Sequence, residues 1–392
     1  MKLRRIPEDF QVDEQADIEI GSGPHALYRL TKRSIGTPEA VAAIVDRWRI
    51  PRRRISYGGL KDRHAVTSQH LTIQHGPQKH LEQSTLDLHY LGQTAQPFRA
   101  SQIRANRFQL TMRDLMESDL ERAGQAISAV RNSGLPNYFD NQRFGSLGFS
   151  GDWIGKAWCL GDYERALWLA LADPNADDRS REKRQKQILN DHWGNWVDCK
   201  AALDRSHRRS IITFLADKQA AGKAIDFRGA FARINVDLRG LYLSAFQSAL
   251  WNRLLTVWLE QRIPGPEQAR FELKSGPCCF AKSASSAPAE LVQAEAEMTL
   301  PLPSARQKEI DTATAGLLDT VLSAESLELR QLRVKYPRDS FFSKSWRHAI
   351  IQPAGLEQTS AADDLYPGKH KLQLCFELPR GSYATILVKR LS

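Results

Sequence analysis

One carboxylate, Asp62, stands between two cations, Lys61 and Arg63, just after the glycine pair Gly58-Gly59. The full stretch reads Gly59-Leu60-Lys61-Asp62-Arg63-His64-Ala65-Val66-Thr67-Ser68-Gln69, with a β-prone run from Ala65 to Ile73. Fixed positive charge favours the ionised form of a carboxylate. Asp62 is therefore a candidate nucleophile or base facing a polyanion. The alternative is a surface turn with local ion pairs, which contribute little when solvated. A second stretch, Leu135-Pro136-Asn137-Tyr138-Phe139-Asp140-Asn141-Gln142-Arg143-Phe144-Gly145, joins amides, aromatic rings and an arginine. Amides can read the edge of a nucleobase, aromatic rings can stack on its face, and arginine can hold a phosphate. The alternative there is a loop whose rings plug the core and whose Asn137 caps local backbone.

Other chemistries find little support. The histidines lack His-x-x-x-His and His-Glu-x-x-His spacing, and Asp363-Asp364 is an isolated acidic pair. No phosphate loop, dinucleotide-binding glycine motif or Gly-x-Ser-x-Gly elbow occurs. An enzyme built from this chain is expected to work without a metal or a nucleotide cofactor. The five cysteines form no Cys-x-x-Cys pair, which argues against a disulfide framework and a zinc site and for a reducing, cytoplasmic setting. No run of about 18 apolar residues is present to span a membrane. The first residues lack the apolar core of a signal peptide.

The chain has 392 residues and a net charge of +10, spread along its length. Such a length suggests two or three domains. The charge attracts polyanions, which leaves RNA, DNA and anionic membrane open.

The elements that must position these residues follow from periodicity. Ala26–Leu30 reads as a short strand. A helix follows, with Thr37 as N-cap, Pro38 in its first position, and Val41, Ile44, Val45 and Trp48 on its apolar face. Pro51 stops it, and Arg47, Arg49, Arg52, Arg53 and Arg54 crowd its end. There they suit either the helix dipole or a phosphate. Arg107–Met112 alternates as a strand. Ser118 and Glu121 form a capping-box pattern for a helix burying Leu120, Ala123, Ile127 and Val130 and ended by Gly134.

The run Asp177–Lys186 is dense in charge and reads as a solvated helix face or a mobile insertion in preference to an RNA-binding arm. Leu243–Leu255 reads as a helix with Leu243, Phe246, Leu250 and Leu254 inward. Ser283–Pro288 reads as a loop. Lys371–Leu378 alternates cleanly as a strand, and Ser382 could cap a last helix burying Ile386, Leu387 and Leu391.

Together the motifs resemble the TruD family of tRNA pseudouridine synthases. The family's Gly-x-Lys-Asp-Lys/Arg-x-Ala-x-Thr-x-Gln is matched by Gly59 to Gln69. Its Pro-Asn-Tyr-Phe-x-x-Gln-Arg-Phe-Gly is matched by Pro136 to Gly145 at every fixed position. Pro7 to Glu14 match Pro-Glu-Asp-Phe-x-Val-x-Glu, and Leu378 to Thr385 match Leu-Pro-x-Gly-Ser-Phe/Tyr-Ala-Thr. The segment Leu243 to Asn252 resembles Leu-Ser-Ala-x-x-Ser-x-Leu-x-Asn. The matches run in family order from residue 7 to residue 385. Two departures stand out: a longer charged segment at 173–210, and Ser304 where the family often has glycine.

The resemblance implies an α+β fold. A pseudouridine synthase catalytic domain, a mixed, mainly antiparallel sheet flanked by helices, would comprise 1–159 and 326–392. An inserted α/β TRUD domain would span 160–325. The resemblance also implies isomerisation of a tRNA uridine, typically D-arm uridine 13, with no cofactor and no metal. Asp62 would be the catalytic carboxylate. Phe10, Asn137 and Tyr383 would line the uridine pocket and Phe139 would shape it. Lys61 and Arg143 would orient the carboxylate or hold backbone phosphate. Among other readings, the intact Lys61-Asp62 motif argues against a catalytically inactive RNA-binding homologue, which a single-turnover assay would decide. A metal-dependent nuclease using Asp62 and His64 would respond to chelators. A DNA-binding regulator lacks a helix-turn-helix signature. No membrane, DNA or obligate protein partner is expected.

Overall fold

A computed structural model describes residues 1–282 and 298–392, so the loop expected at Ser283–Pro288 lies outside the described residues. Packing divides the chain into two compact units. One contains Met1–Asn137, Lys282 and Ile350–Ser392, and the other contains Tyr138–Ala281 and 298–349. These divisions, at 137/138 and 349/350, differ from the 159/160 and 325/326 boundaries expected from the motifs. The first falls inside the Pro-Asn-Tyr-Phe motif. Tyr138 is fully buried in the second unit, where its hydroxyl bonds to Thr256 Oγ1 and the Cys279 carbonyl.

The first unit is built on a ten-stranded sheet. Its early strands are β1 (Lys2–Leu3), β2 (Phe10–Ala16), β3 (His25–Arg33), β4 (Ile55–Tyr57), β5 (Val66–Gln74), β6 (Leu81–Gln83), β7 (Leu86–Thr94) and β8 (Ile103–Leu115). The strands Ala354–Ala362 and His370–Pro379 complete it. From one edge the order is Ala354–Ala362, His370–Pro379, β8, β2, β5, β3, β7, β6, with β1 on β8 and β4 on β5. Every pair is antiparallel except β2 with β5. The mainly antiparallel sheet flanked by helices is thus observed. The strand expected at 371–378 lies against β8, with Phe376 opposite Phe108 and their rings stacked at 5.4 Å.

Period-two alternation explains the strands and also shows where they break the apolar rule. In β2, Phe10, Val12 and Glu14 are all buried. In β3, Ala26, Tyr28 and Leu30 enter the core and Lys32 follows them on the same face. A glutamate and a lysine therefore occupy core positions. Burying a charge is costly unless it is paired and hydrogen-bonded, and both belong to the site described below.

Helix α1 (Thr37–Trp48) packs Val41 and Ile44 onto Leu30, Leu71 and Ile73. Its N-cap is Gly36, not Thr37. The Thr37 hydroxyl instead donates to Gln69 Oε1 at 2.8 Å and accepts from Lys61 N at 2.9 Å. Helix α2 (Glu117–Ser133) ends at Gly134 (φ 71°), as expected. Its cap is Met116 rather than Ser118: Asp119 Oδ2 accepts from the Met116 N–H at 2.9 Å, so the box lies two residues earlier. Ser382 likewise does not cap the last helix, Ala384–Leu391. Tyr383 holds that position, and the Ser382 N–H is turned back to the Pro379 carbonyl.

The second unit is helix-rich, with two short antiparallel ribbons, Gln268–Leu273 with Gly276–Ala281 and Thr299–Pro301 with Trp346–His348. Its longest helix, Val236–Glu260, buries fifteen of its 25 residues, including Leu243, Phe246, Leu250 and Leu254, and so forms the unit's core. The charge-dense run forms the helix Ser180–His192. Arg181 and Arg184 pair with Asp204, Glu182 pairs with Arg208, and Lys186 pairs with Asp178. Among the described residues no helix is long and apolar enough to cross a membrane.

Candidate active site

Asp62 lies on the connection between β4 and β5, and that connection is anchored through its backbone. The buried Lys32 ammonium donates to the Asp62 carbonyl at 2.6 Å, the Lys61 carbonyl at 3.3 Å and the Ile35 carbonyl at 2.7 Å. Thr37 holds the Lys61 N–H, and Gln69 Nε2 donates to the Gly59 carbonyl at 3.0 Å. The loop is therefore fixed at Gly59, Lys61 and Asp62. The Asp62 side chain keeps about 30% of its surface exposed.

The cations that flank Asp62 in sequence are paired with other carboxylates. The Lys61 ammonium sits 3.2 Å from Glu14 Oε2, at ion-pair distance without hydrogen-bond alignment, and donates to Asn106 Oδ1. Glu14 and Asn106 are directly opposite in the β2–β8 register, so one cross-strand pair receives the ammonium. The other Glu14 oxygen accepts from the His70 N–H at 2.8 Å. Burial pushes the Glu14 carboxyl up, but the His70 hydrogen bonds and the Lys61 charge outweigh it, and the net shift is downward. Arg63 pairs with Glu39 of α1.

One cation beside the Asp62 carboxylate comes from far away in sequence. Arg4 Nη1 lies 3.6 Å from Asp62 Oδ1, and the guanidinium covers the Phe10 ring at 3.7 Å. Arg4 Nε and Nη2 are buried with no hydrogen-bond partner among the described residues. Arg4 adopts a left-handed backbone (φ 58°), held by the turn that follows it. There Asp9 Oδ2 accepts from the Arg5 and Ile6 N–H groups, while Asp9 Oδ1 accepts from Arg113 Nε at 2.8 Å. Arg113 also bonds Asp363 and Asp364. Burial alone would lower its pKa, but these three carboxylates raise it well above the ordinary guanidinium value. This buried network fixes the segment that carries Arg4 and Phe10.

The structure thus brings together Asp62, Lys61 and Phe10, linked through Arg4, Lys32 and Glu14. Asn137 and Tyr383 belong to the same unit on separate elements. Asn137 is buried beside the ribbon that pairs Leu135–Pro136 with Ile350–Ile351, and Tyr383 opens the last helix.

Phe139 and Arg143 belong to the second unit. Asn252 Oδ1 accepts from the Phe139 N–H and Asn252 Nδ2 donates to the Phe139 carbonyl, each at 2.8 Å, so a side-chain amide pairs the backbone as a strand would. The Phe139 ring meets Trp251 edge-on at 5.7 Å and lies under the guanidinium groups of Arg347 at 4.1 Å and Arg143 at 5.6 Å. Arg143 Nε donates to Ser248 Oγ at 3.2 Å. Phe144 is a core residue packed on Trp153.

Arg4, Lys32, Thr37 and Asn106 were not singled out from the sequence as site residues. The one readable signal was a charge at a core position: Lys32 after the alternating Ala26, Tyr28 and Leu30. Glu14 carried the same signal in β2.

The fold is α+β, a mainly antiparallel sheet flanked by helices, and the loop leading into its interior strand β5 carries an anchored carboxylate with a guanidinium beside it. Comparison with known proteins agrees. The chain belongs to the tRNA pseudouridine synthase D (TruD) family, whose model matches residues 1–391. Members are isomerases that convert uridine in tRNA to pseudouridine, and this chain is one of them. It is similar to "Probable tRNA pseudouridine synthase D 1" of Methanococcus maripaludis, 30% identical over 100% of this chain and 99% of that one. It is also similar to "Probable tRNA pseudouridine synthase D 2" of Methanocaldococcus jannaschii, 30% identical over 100% and 91%. A crystal structure from Methanosarcina mazei designated tRNA pseudouridine synthase D (TruD) shares the fold. Its TM-score is 0.73, at 24% identity, over 99% of this chain and 92% of that one.

Proposed function

We propose that Asp62 is the catalytic carboxylate of this synthase and that its target is uridine 13 of the tRNA D-arm, acted on in the cytoplasm. The observation that carries the assignment of Asp62 is its anchoring. Three separate side chains, Lys32, Thr37 and Gln69, fix the backbone at Gly59, Lys61 and Asp62, while the Asp62 side chain keeps about 30% of its surface exposed. Such rigidity is what a group that must meet a reacting atom needs. The first unit is then the catalytic domain and the second the TRUD insertion.

The reaction breaks the bond between uracil N1 and ribose C1′, turns the base, and joins C5 to C1′. C5 loses a proton and N1 gains one, so atoms balance without a cofactor. A carboxylate can act as nucleophile at the sugar or the base, or remove a ribose proton to give a glycal. The target nucleotide must first leave its stack. Phe10, Asn137 and Tyr383 line the pocket that receives it. The Asn137 amide pairs with the uracil edge, and the rings cover its face. Arg143 holds backbone phosphate, and Lys61, fixed by Glu14 and Asn106, orients the Asp62 loop.

Asp62→Asn should leave tRNA binding nearly intact and abolish pseudouridine formation, scored by mass spectrometry or by carbodiimide primer extension. Full activity in that variant would overturn the assignment of Asp62. A single-turnover assay of the native protein distinguishes the enzyme from an inactive RNA-binding homologue. Pseudouridine mapping of native tRNA with and without the protein tests the position.

A further inference from the structure

In the second unit, the segment from Arg333 to Trp346 carries four cations, Arg333, Lys335, Arg338 and Lys344, against a single acid, Asp339. All four are exposed, and among the described residues none is ion-paired. Asp339 is bound to Arg239 at 2.7 Å and does not neutralise them. Between them stands Phe341, 62% exposed, while its neighbour Phe342 is buried. Arg306 lies 5.5 Å from the Phe341 ring centre.

The segment has little regular structure, yet its backbone is pinned. Trp158 Nε1 donates to the Tyr336 carbonyl at 2.8 Å. Gln247 of the core helix accepts from the Ser343 N–H at 3.2 Å and donates to the Ser343 carbonyl at 2.8 Å. The buried Arg239 holds Asp339 from the same helix. Arg333 and Lys335 also border a groove of about 390 Å³ with Cys159, Leu160, Arg330 and Gln331. A solvated loop with no binding role would gain nothing from carrying four unpaired cations and an exposed ring in one short segment. Mutual repulsion and an exposed phenyl surface are both unfavourable, and a phosphate chain with an unstacked base relieves both.

We propose that this segment is an RNA-contact surface of the second unit: Arg333, Lys335, Arg338 and Lys344 bind substrate phosphates, and Phe341 stacks on an unpaired base. The proposal rests on tRNA being the substrate. The surface is preorganised, because the hydrogen bonds that shape it are made within the protein. It supplies affinity and leaves the chemical step alone.

The test uses the full chain and a tRNA transcript. Binding is measured between about 50 and 200 mM salt, where phosphate contacts are most visible. Lys335→Glu with Arg338→Glu should raise Kd at least about tenfold and flatten the slope of log K against log salt by roughly 1.4–1.8. The kcat at saturating tRNA should stay within about twofold, since these side chains are given no part in the chemistry assigned to Asp62. Phe341→Ala should raise Kd about five- to a hundredfold with little change in slope, and Phe341→Trp should restore it. All these side chains are exposed, so thermal midpoints should match that of the native protein. If one variant unfolds, the other decides. The proposal is overturned if both substitutions leave Kd and slope unchanged while the native protein makes pseudouridine. A native protein that neither binds nor modifies tRNA would overturn the functional reading itself.

Discussion

Lys32→Met isolates the anchoring of Asp62 from overall stability. Lys32 is 1% exposed, and its ammonium has three backbone carbonyls as hydrogen-bond acceptors. Burial pulls its pKa from 10.5 down to about 8; the Asp62 charge opposes that fall, and Lys61 and Arg63 add to it. A drop of that size corresponds to about 3 kcal/mol of cost for keeping the buried lysine charged. Methionine of similar length removes this cost. It also strips the donor from three carbonyls, at about 1 kcal/mol each. The two effects nearly cancel, so the thermal midpoint at neutral pH should move by no more than the equivalent of about 1–2 kcal/mol.

Activity does not share this cancellation. A loop freed at the carbonyls of Lys61 and Asp62 misplaces the carboxylate, and a misplacement of about 1 Å costs on the order of a hundredfold in rate. We therefore expect kcat to fall about a hundredfold with KM for tRNA nearly unchanged.

The pH dependence gives a second, independent readout on the native protein. The folded pKa lies below the unfolded one, so between about 8 and 10.5 the unfolded chain binds more protons, and the Lys32 contribution to stability rises with pH. Activity should move the other way. Neutral Lys32 has two N–H donors for three carbonyls, so kcat should decline as pH rises through about 8, and this limb should be absent from Lys32→Met. The reasoning is refuted if Lys32→Met keeps kcat within about threefold of native, or if its activity loss simply tracks a collapse of the midpoint.

Other outcomes follow from the same geometry. Glu14→Gln should destabilise by about 2–4 kcal/mol, because it leaves the largely buried Lys61 ammonium without its carboxylate. The Glu14 pKa is lowered on folding, so the stabilisation it provides is present above the ordinary carboxylate range and is lost as pH falls through its folded pKa. Midpoints measured down the acid limb should therefore converge for native and Glu14→Gln. Arg4→Ala should lower turnover more than stability, since it uncovers Phe10 and removes the cation beside Asp62. Equal losses in a melt and in the pseudouridine assay would instead make Arg4 a packing residue. Phe10→Ala and Asn137→Ala should also weaken turnover more than the melt, and unfolding of either would mark it as a core residue. Asn252→Ala should cost about 2–4 kcal/mol by denaturant titration, because it orphans the buried N–H and carbonyl of Phe139 together.

Much of the first unit was legible locally. β-prone composition located β3 and β5, alternation located β8 and the strand His370–Pro379, and helical spacing located α1, α2 and the core helix Val236–Glu260. The caps were legible only in part. Thr37, Ser118 and Ser382 have the chemistry of caps, but each lies one or two residues from the residue that fills the role. Thr37 was needed elsewhere, bridging Gln69 and the Lys61 N–H across separations of 32 and 24 residues.

The sequence by itself determined the identity of the chemistry. The Lys61-Asp62 motif and four others in family order mark a tRNA pseudouridine synthase, because motif residues near one another in the chain retain their spacing in any fold. The tertiary structure alone decided which charges meet. Neighbours in sequence suggested that Lys61 and Arg63 attend Asp62, whereas Lys61 turns to Glu14 and Asn106, Arg63 to Glu39, and Arg4 comes to the carboxylate from the chain's start. It also decided that a lysine 30 residues away holds the loop by its carbonyls. The physical reason is range. Periodicity and turn chemistry act over a few residues, while an ion pair is set by sheet order and register, which bring β2, β3, β5 and β8 together only after folding.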